Sequence, residues 1–267
     1  MKADIRGKWA VVTGADGGIG EAFCRELAGR GANLLMVSDR GRNLESLRER
    51  LAHDFKTELR TLTLDLTLPD AARRLMSCLD EFWIEPYICI NNAGIFNFSN
   101  LTDLSESRRS LYIDLHVRAV TEISVRMAEQ IARKGEGYIL NMSSMSCWMP
   151  MPGIALYSAT KAYIRVFSRA LRCEMKDAGV SVTAACPGGI ATDLFGLPDN
   201  LKRLAVRIGA ITTPRKFARK AVGRMLRGKA QYINGGLNRI AILAVGITPE
   251  RLRMAVKHLM LDKGIRR

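Results

Sequence analysis

The chain has 267 residues, 48% of them hydrophobic, enough apolar surface for a large core and too much for a disordered chain. Its longest apolar run, Ile240 to Ile247, is eight residues long, short of the roughly 18–20 a bilayer-spanning helix needs. The formal charge of +15 is carried by residues 201–267, with 17 lysines and arginines against 2 acids, whereas residues 1–200 hold 24 of each sign.

That basic end reads either as a solvated face or as a contact for an anionic membrane or an acidic, phosphate-bearing carrier. It holds no recognisable nucleic-acid-binding motif, so no nucleic acid partner is expected. The N-terminus runs through Lys2, Asp4 and Arg6 straight into Trp9 without an apolar leader. Six cysteines without a C-x-x-C pair, set in apolar runs, suit free thiols in a reducing compartment. A cytoplasmic protein, peripheral to a membrane if the basic end meets lipid, is the expectation. His53, His116 and His258 lie far apart, and no metal site is expected.

In chain order, short runs rich in Val, Ile and Leu predict strands at Trp9–Thr13, Asn33–Ser38, Leu59–Leu64, Ile88–Asn91, Tyr138–Met142 and Val180–Cys186. Helical periodicity falls between them at Gly20–Gly29, Leu44–Phe55, Ala71–Phe82, Ser107–Arg133 and Ala155–Ala178. Such alternation predicts a single α/β domain, a doubly wound parallel sheet of the Rossmann type with helices on both faces. After Phe195 come a basic helical segment to Gly228 and a short strand at Gln231–Ile233. Residues 1–236 are thus read as the catalytic domain, with a lid at about 189–228. Residues 237–267 are read as a basic amphipathic extension packed on it.

Directly after the first strand stands Thr13-Gly14-Ala15-Asp16-Gly17-Gly18-Ile19-Gly20. Glycines let a tight turn approach a ligand, and the helix that follows offers unpaired N–H groups and a positive dipole end to a pyrophosphate. At the end of the second strand, Asp39 favours NAD by accepting from ribose hydroxyls, whereas Arg40 could pair with the 2′-phosphate of NADP. Tyr157 and Lys161 sit one helical turn apart, a phenol and an ammonium able to shuttle a proton. Ser144 ends a strand, where doubly wound sheets bind ligands.

Taken with Asp65, Asn91-Asn92-Ala93-Gly94 and Pro187-Gly188, these motifs resemble, in order and spacing, the classical short-chain dehydrogenase/reductase family, from about residue 7 to residue 193. The resemblance implies that Tyr157 donates and accepts the proton, Ser144 polarises the substrate oxygen, and Lys161 lowers the tyrosine pKa and holds the nicotinamide ribose. It further implies adenine contacts from Asp65 and Leu66, a cofactor floor from Asn91, Asn92, Ala93 and Gly94, and nicotinamide contacts from Pro187, Gly188, Ile190 and Thr192. It also implies a homodimer or homotetramer built on the long helices. One residue departs from the pattern: His116 stands where the family usually has an asparagine, and imidazole could serve as a substitute proton relay.

Trp148, Met149 and Met151 after Ser144, and Phe195 after Thr192, suit an adaptable apolar pocket, hence a lipophilic ketone or alcohol of 3-ketoacyl, sphingoid or steroid type. The long tail loosely resembles the lipid-acting branch of the family. A sugar or polyol dehydrogenase, and a cofactor-binding regulatory protein with weak turnover, are the alternatives.

Overall fold

The computed structural model describes residues 3–191, 211–246 and 248–258. Seven strands form one parallel sheet in the order β3-β2-β1-β4-β5-β6-β7: β1 (Trp9–Thr13), β2 (Asn33–Ser38), β3 (Leu59–Thr63), β4 (Pro86–Asn91), β5 (Gly137–Met142), β6 (Val180–Ala185) and β7 (Gln231–Tyr232). The chain first winds outward from β1 to β3, then crosses back to β4 on the other side of β1. The connections that leave β1 and β4 therefore run to opposite faces of the sheet, which opens the crevice where such sheets bind ligands.

The helices are α1 (Gly18–Ala28), α2 (Gly41–Asp54), α3 (Ala71–Glu81), α4 (Glu106–Ile113), α5 (Ala119–Ala132), α6 (Ala155–Glu174), α7 (Pro214–Met225), α8 (Gly236–Gly246) and α9 (Glu250–Lys257). Alternate strand residues feed opposite cores. Ala10 and Val12 join Leu34, Met36, Phe23 and Phe217 on one face, and Val11 joins Leu35, Leu75 and Ile123 on the other. This explains why the central strands read as unbroken apolar runs.

The periodicity of 107–133 predicts one helix, but the structure interrupts it between α4 and α5 with a π-helical turn at Asp114–Arg118, closed by a bond from the Ala119 N–H to the Asp114 carbonyl. Such wide turns keep the side-chain pattern nearly in phase, so periodicity does not reveal them. Cys24, Cys78, Cys89 and Cys186 are buried, Cys147 is half-buried and Cys173 is exposed. Among the described residues no helix is long and apolar enough to cross a membrane.

A buried polar network ties the sheet to α5 and α6. Asn91 Nδ2 donates to Asn141 Oδ1 at 2.8 Å and to Ser124 Oγ at 3.0 Å. Asn141 Nδ2 in turn donates to Ser168 Oγ at 3.0 Å. Replacing Asn141 by Ala leaves these partners buried and unpaired, so urea denaturation should report a loss of about 3 kcal/mol.

Candidate active site

The crevice is built around Thr13. Its hydroxyl accepts the Asn92 N–H at 3.0 Å and the Ala93 N–H at 3.1 Å, while Asn92 Nδ2 donates to the carbonyls of Thr13 and Gly14 at 3.1 and 3.0 Å. Gly14 has φ +60°, and a Cβ there would stand 2.8 Å from the Ala93 Cα. A Cβ on Gly20 would stand 1.9 Å from the Gly14 carbonyl oxygen. Glycine is therefore required at both positions. No side chain caps the N-terminus of α1, which begins after Gly17, so its first N–H groups are available to an anion. Gly18 and Ile19 lie in that first turn.

This cradle fits a dinucleotide. At the end of β2, Ser38 Oγ donates to Asp16 Oδ1 at 2.5 Å and lies 3.4 Å from Asp39 Oδ1, so two carboxylates gather where an adenosine ribose would lie. Arg40 reaches back to Asp39 at 4.0 Å, with both side chains largely exposed. Asp65 Oδ1 accepts from the Thr67 N–H at 2.9 Å, and Leu66 packs its side chain into the core, leaving only backbone to offer.

Opposite the cradle, Ser144 heads a 3-10 turn, Met145–Trp148, and its hydroxyl accepts the Ser146 N–H at 3.2 Å. Ser144 and Tyr157 line the same crevice, and Phe96 packs edge-on against the Tyr157 ring at 5.0 Å. Lys161 lies one turn along α6, 5 % exposed, with Nζ donating to the Met142 carbonyl at 2.9 Å and standing 5.6 Å from the Tyr157 ring centre. Burial holds both groups toward their neutral forms: Tyr157 is pushed up to about 12, despite the Ser144 hydroxyl, which favours the phenolate, and Lys161 is lowered to about 7. Lys161 does not depress the tyrosine here, because burial weakens its own charge and it is directed at Met142.

His116 is fully buried at the centre of the π-helical turn. Its Nε2 accepts the Ile95 N–H at 3.0 Å, and its Nδ1 meets Thr160 Oγ1 at 3.1 Å. Thr160 Oγ1 already donates to the Tyr157 carbonyl at 2.9 Å, so Nδ1 must carry the proton. The ring is thereby fixed as one neutral tautomer, and burial first, then Lys161, lower its pKa well below the usual histidine value. Both nitrogens are committed to protein partners. The geometry offers a bracket between the Gly94–Ile95 loop and α6, not the titrating relay expected from the sequence.

Pro187 and Gly188 follow β6. The Pro187 carbonyl accepts from the Met145 N–H at 2.8 Å, and the Gly188 N–H donates to Asn234 Oδ1 at 2.7 Å. Ile190 is buried and bridges to Thr212. Thr192, Phe195 and the rest of 192–210 within the expected lid lie outside the described residues. Trp148, Met149 and Met151 line a cavity next to the turn. Thr160 and Asn234 are the parts the motifs did not single out, and Thr13 opened the glycine motif without a role of its own. Only the Asn234-Gly-Gly run carried a local signal, as the end of a strand.

His116 binds no proton when folded near neutral pH but would titrate near the ordinary histidine value of 6.5 when unfolded. Its contribution is thus present above that value and is lost as pH falls below it. Stability should fall by up to about 1.4 kcal/mol per pH unit on this account. The slope between pH 6.5 and 5 should flatten in His116→Asn, as pH-dependent urea unfolding would report.

Comparison with known proteins agrees with this geometry. Residues 8–199 match the family described as short chain dehydrogenase. A very-long-chain 3-oxoacyl-CoA reductase of Mus musculus is 33% identical over 193 residues, 70% of this chain and 61% of that protein. A protein of Homo sapiens named inactive hydroxysteroid dehydrogenase-like protein 1 is 31% identical over 224 residues, 82% of this chain and 66% of its own length. The chain thus spans less than two thirds of either relative. A short-chain dehydrogenase from Sphingobium yanoikuyae in complex with NADPH superposes with a TM-score of 0.77 at 25% identity, covering 89% of this chain and 92% of that one. With its glycine cradle, serine, tyrosine and lysine on a sheet of this order, the chain belongs to the short-chain dehydrogenase family.

Proposed function

We propose that the chain interconverts a ketone and a secondary alcohol on a lipid-like substrate of 3-ketoacyl, sphingoid or steroid type, using NAD(H) or NADP(H). The observation that carries this reading is that Ser144, Tyr157 and Lys161 line one crevice together with Ile19, Asn92 and Gly94 of the cofactor cradle. When bound, the nicotinamide supplies or accepts hydride at the substrate carbon. Ser144 and Tyr157 hold the substrate oxygen between two hydroxyls, and Tyr157 delivers its proton to that oxygen as charge develops. Protonated Lys161 then stabilises the phenolate, because a cation in a dry site acts strongly on a neighbouring anion. Oxidation runs these steps backward.

The lipophilic part rests on the Trp148, Met149 and Met151 walls and on the names of the relatives. A sugar-type dehydrogenase would need more polar walls. The alternative without efficient turnover draws on His116 and on the relative named inactive, whereas the intact serine, tyrosine and lysine favour catalysis.

The carboxylates of Asp16 and Asp39 favour NAD, since a 2′-phosphate would face two like charges. The long helices carry exposed Val125, Tyr163 and Val166, which suits a homodimer or homotetramer. On the tail, exposed Ile240 and Leu252 stand beside Arg239 and Arg251. This outer face suits a peripheral contact with an anionic membrane; we read the catalytic domain as extending to 236 and the tail from 237 as an extension of it, whose residues 259–267 lie outside the described ones.

The test is oxidation of NADH and NADPH followed at 340 nm against 3-ketoacyl thioesters, 3-ketosphinganine, ketosteroids and ketoses. Tyr157→Phe should lower kcat at least about a thousandfold. Turnover of ketoses alone would overturn the lipophilic reading, and no turnover in either direction, with cofactor bound, would overturn the enzyme. Asp39→Ala should shift the NADH to NADPH preference toward NADPH by about tenfold. In the direction of reduction, kcat/KM should fall as pH rises through about 7, where Lys161 loses its proton. A profile flat from pH 6 to 9 would refute that role.

A further inference from the structure

The π-helical turn at Asp114–Arg118 joins three segments that are distant in sequence. From its centre, His116 holds the Ile95 N–H and, through Thr160, the carbonyl of Tyr157. From its end, Arg118 Nη2 donates to the Thr67 carbonyl at 2.6 Å and lies 3.0 Å from Asp114 Oδ1, at the start of the same turn. One guanidinium thus spans the two ends of the turn and fastens it to the loop after β3. The arrangement is costly for stability alone, because Nε of Arg118 is buried with no partner among the described residues, where buried donors are nearly always paired.

The loop that Arg118 grasps leads to the crevice. The Thr67 N–H and hydroxyl both donate to Asp65 Oδ1, at 2.9 and 2.7 Å, and Leu66 between them is buried. Asp65 itself is exposed, and its Oδ2 takes no hydrogen bond from the described residues, so it is open to a ligand. Asp65 and Leu66 are the residues read as the adenine contacts. Short hydrogen bonds therefore run from Asp65 through Thr67 and Arg118 to the turn, and from the turn through His116 and Thr160 to the backbone of Tyr157. The turn between them has a discrete alternative, since closing it as an α-helix would change the phase of its residues and carry His116 off Ile95 and Thr160.

We infer that Arg118 is a positioning residue that couples the adenosine end of the crevice to Tyr157. Filling that end steadies Thr67, Arg118 then holds the turn in its π-helical register, and His116 and Thr160 set the backbone of Tyr157. Arg118 needs no contact with cofactor or substrate for this. The inference rests on the dinucleotide reading of the crevice and adds a route between its two halves. Since coupling is reciprocal, ordering the tyrosine side also tightens binding at the adenosine end.

The probe is AMP, which fills the adenosine end and has no nicotinamide to reach Tyr157. Hydrogen–deuterium exchange of the full chain, free and saturated with AMP, reads the coupling without turnover. AMP should slow exchange by about tenfold in three stretches, residues 64–68, 113–120 and 157–161. Arg118→Gln, also saturated with AMP, should keep the first effect and lose the other two, and Arg118→Lys, which retains a donor for the Thr67 carbonyl, should restore part of them. Should Arg118→Gln not fold, Asp114→Asn, which loosens the other hold on the guanidinium, should weaken the same two stretches. Protection confined to 64–68 in the unaltered chain, or protection of 157–161 that survives these variants, would overturn this inference alone. Turnover supplies a second readout: the fall in kcat caused by Arg118→Gln should be about tenfold larger with NADH than with reduced nicotinamide mononucleotide, which lacks adenosine. An equal fall with both would make Arg118 a structural residue only and overturn the coupling. AMP-linked protection at 157–161 that Arg118→Gln removes, in a chain that reduces no ketone, would support the coupling and remove the oxidoreductase reading. No binding of AMP would overturn the coupling together with the dinucleotide reading.

Discussion

The site depends on how closely the end of β1 approaches the loop after β4. Thr13 Oγ1 accepts two backbone N–H groups from that loop, and Asn92 returns two bonds to the backbone of Thr13 and Gly14. Four bonds across so short a distance leave no room for a side chain at Gly14, and they fix the angle at which the chain turns into α1. The uncapped N–H groups of α1 and the ends of β4 and β5 consequently face one crevice. In an open parallel sheet the strands alone leave this region ajar, and the Thr13–Asn92 knot gives it a definite width.

Burial then determines what the crevice can do. Tyr157, Lys161 and His116 are all withdrawn from water, and each is held toward its uncharged form. The same desolvation that removes charge from the resting site makes any charge that does form act strongly on its neighbours. A negatively charged dinucleotide lying along the cradle would favour protonated Lys161, so binding of the cofactor and charging of the lysine support one another. The sequence resemblance implies a lysine that depresses the tyrosine. The structure adds that its amine donates to the Met142 carbonyl and that burial lowers it to about 7, so its charge is easily raised by a bound anion.

The fold was legible because its signals are local. Apolar runs of five or six residues alternating with amphipathic stretches read as parallel strands under helices, and all seven predicted strands lie within two residues of their observed limits. The glycine cradle and the Tyr157–Lys161 spacing were legible for the same reason, being set by one turn and one helix. What escaped depends on contacts between distant segments. Thr160 matters because His116 arrives from 44 residues away, and Asn234 because Gly188 lies 46 residues before it. The π-helical turn escaped because it shifts the helical phase by a fraction of a turn. The wall that α9 adds to the cavity beside Ser144 could not be read from the tail, whose alternation of Leu, Met and Arg is equally satisfied by an outward-facing helix.

His116 illustrates how a departure from a family pattern can change the residue and keep the hydrogen-bond arithmetic. A carboxamide offers one acceptor oxygen and a donor NH2, and the neutral imidazole offers one acceptor nitrogen and one donor N–H. At this position the acceptor takes the Ile95 N–H and the donor serves Thr160, so the demands on the side chain are those either group can meet. The cost lies in size, since the ring is longer and wider, and the π-helical turn centred on His116 is where the backbone widens around it. The ring also adds edge-on packing against Tyr112 and Tyr157, at 5.3 and 6.0 Å, which a carboxamide would not supply. The substitution therefore leaves the placement of Tyr157 braced from below by Thr160 and from the side by the imidazole. The placement of a tyrosine held in this way depends on the bracket's shape and polarity, and not on whether the bracket can itself carry a proton.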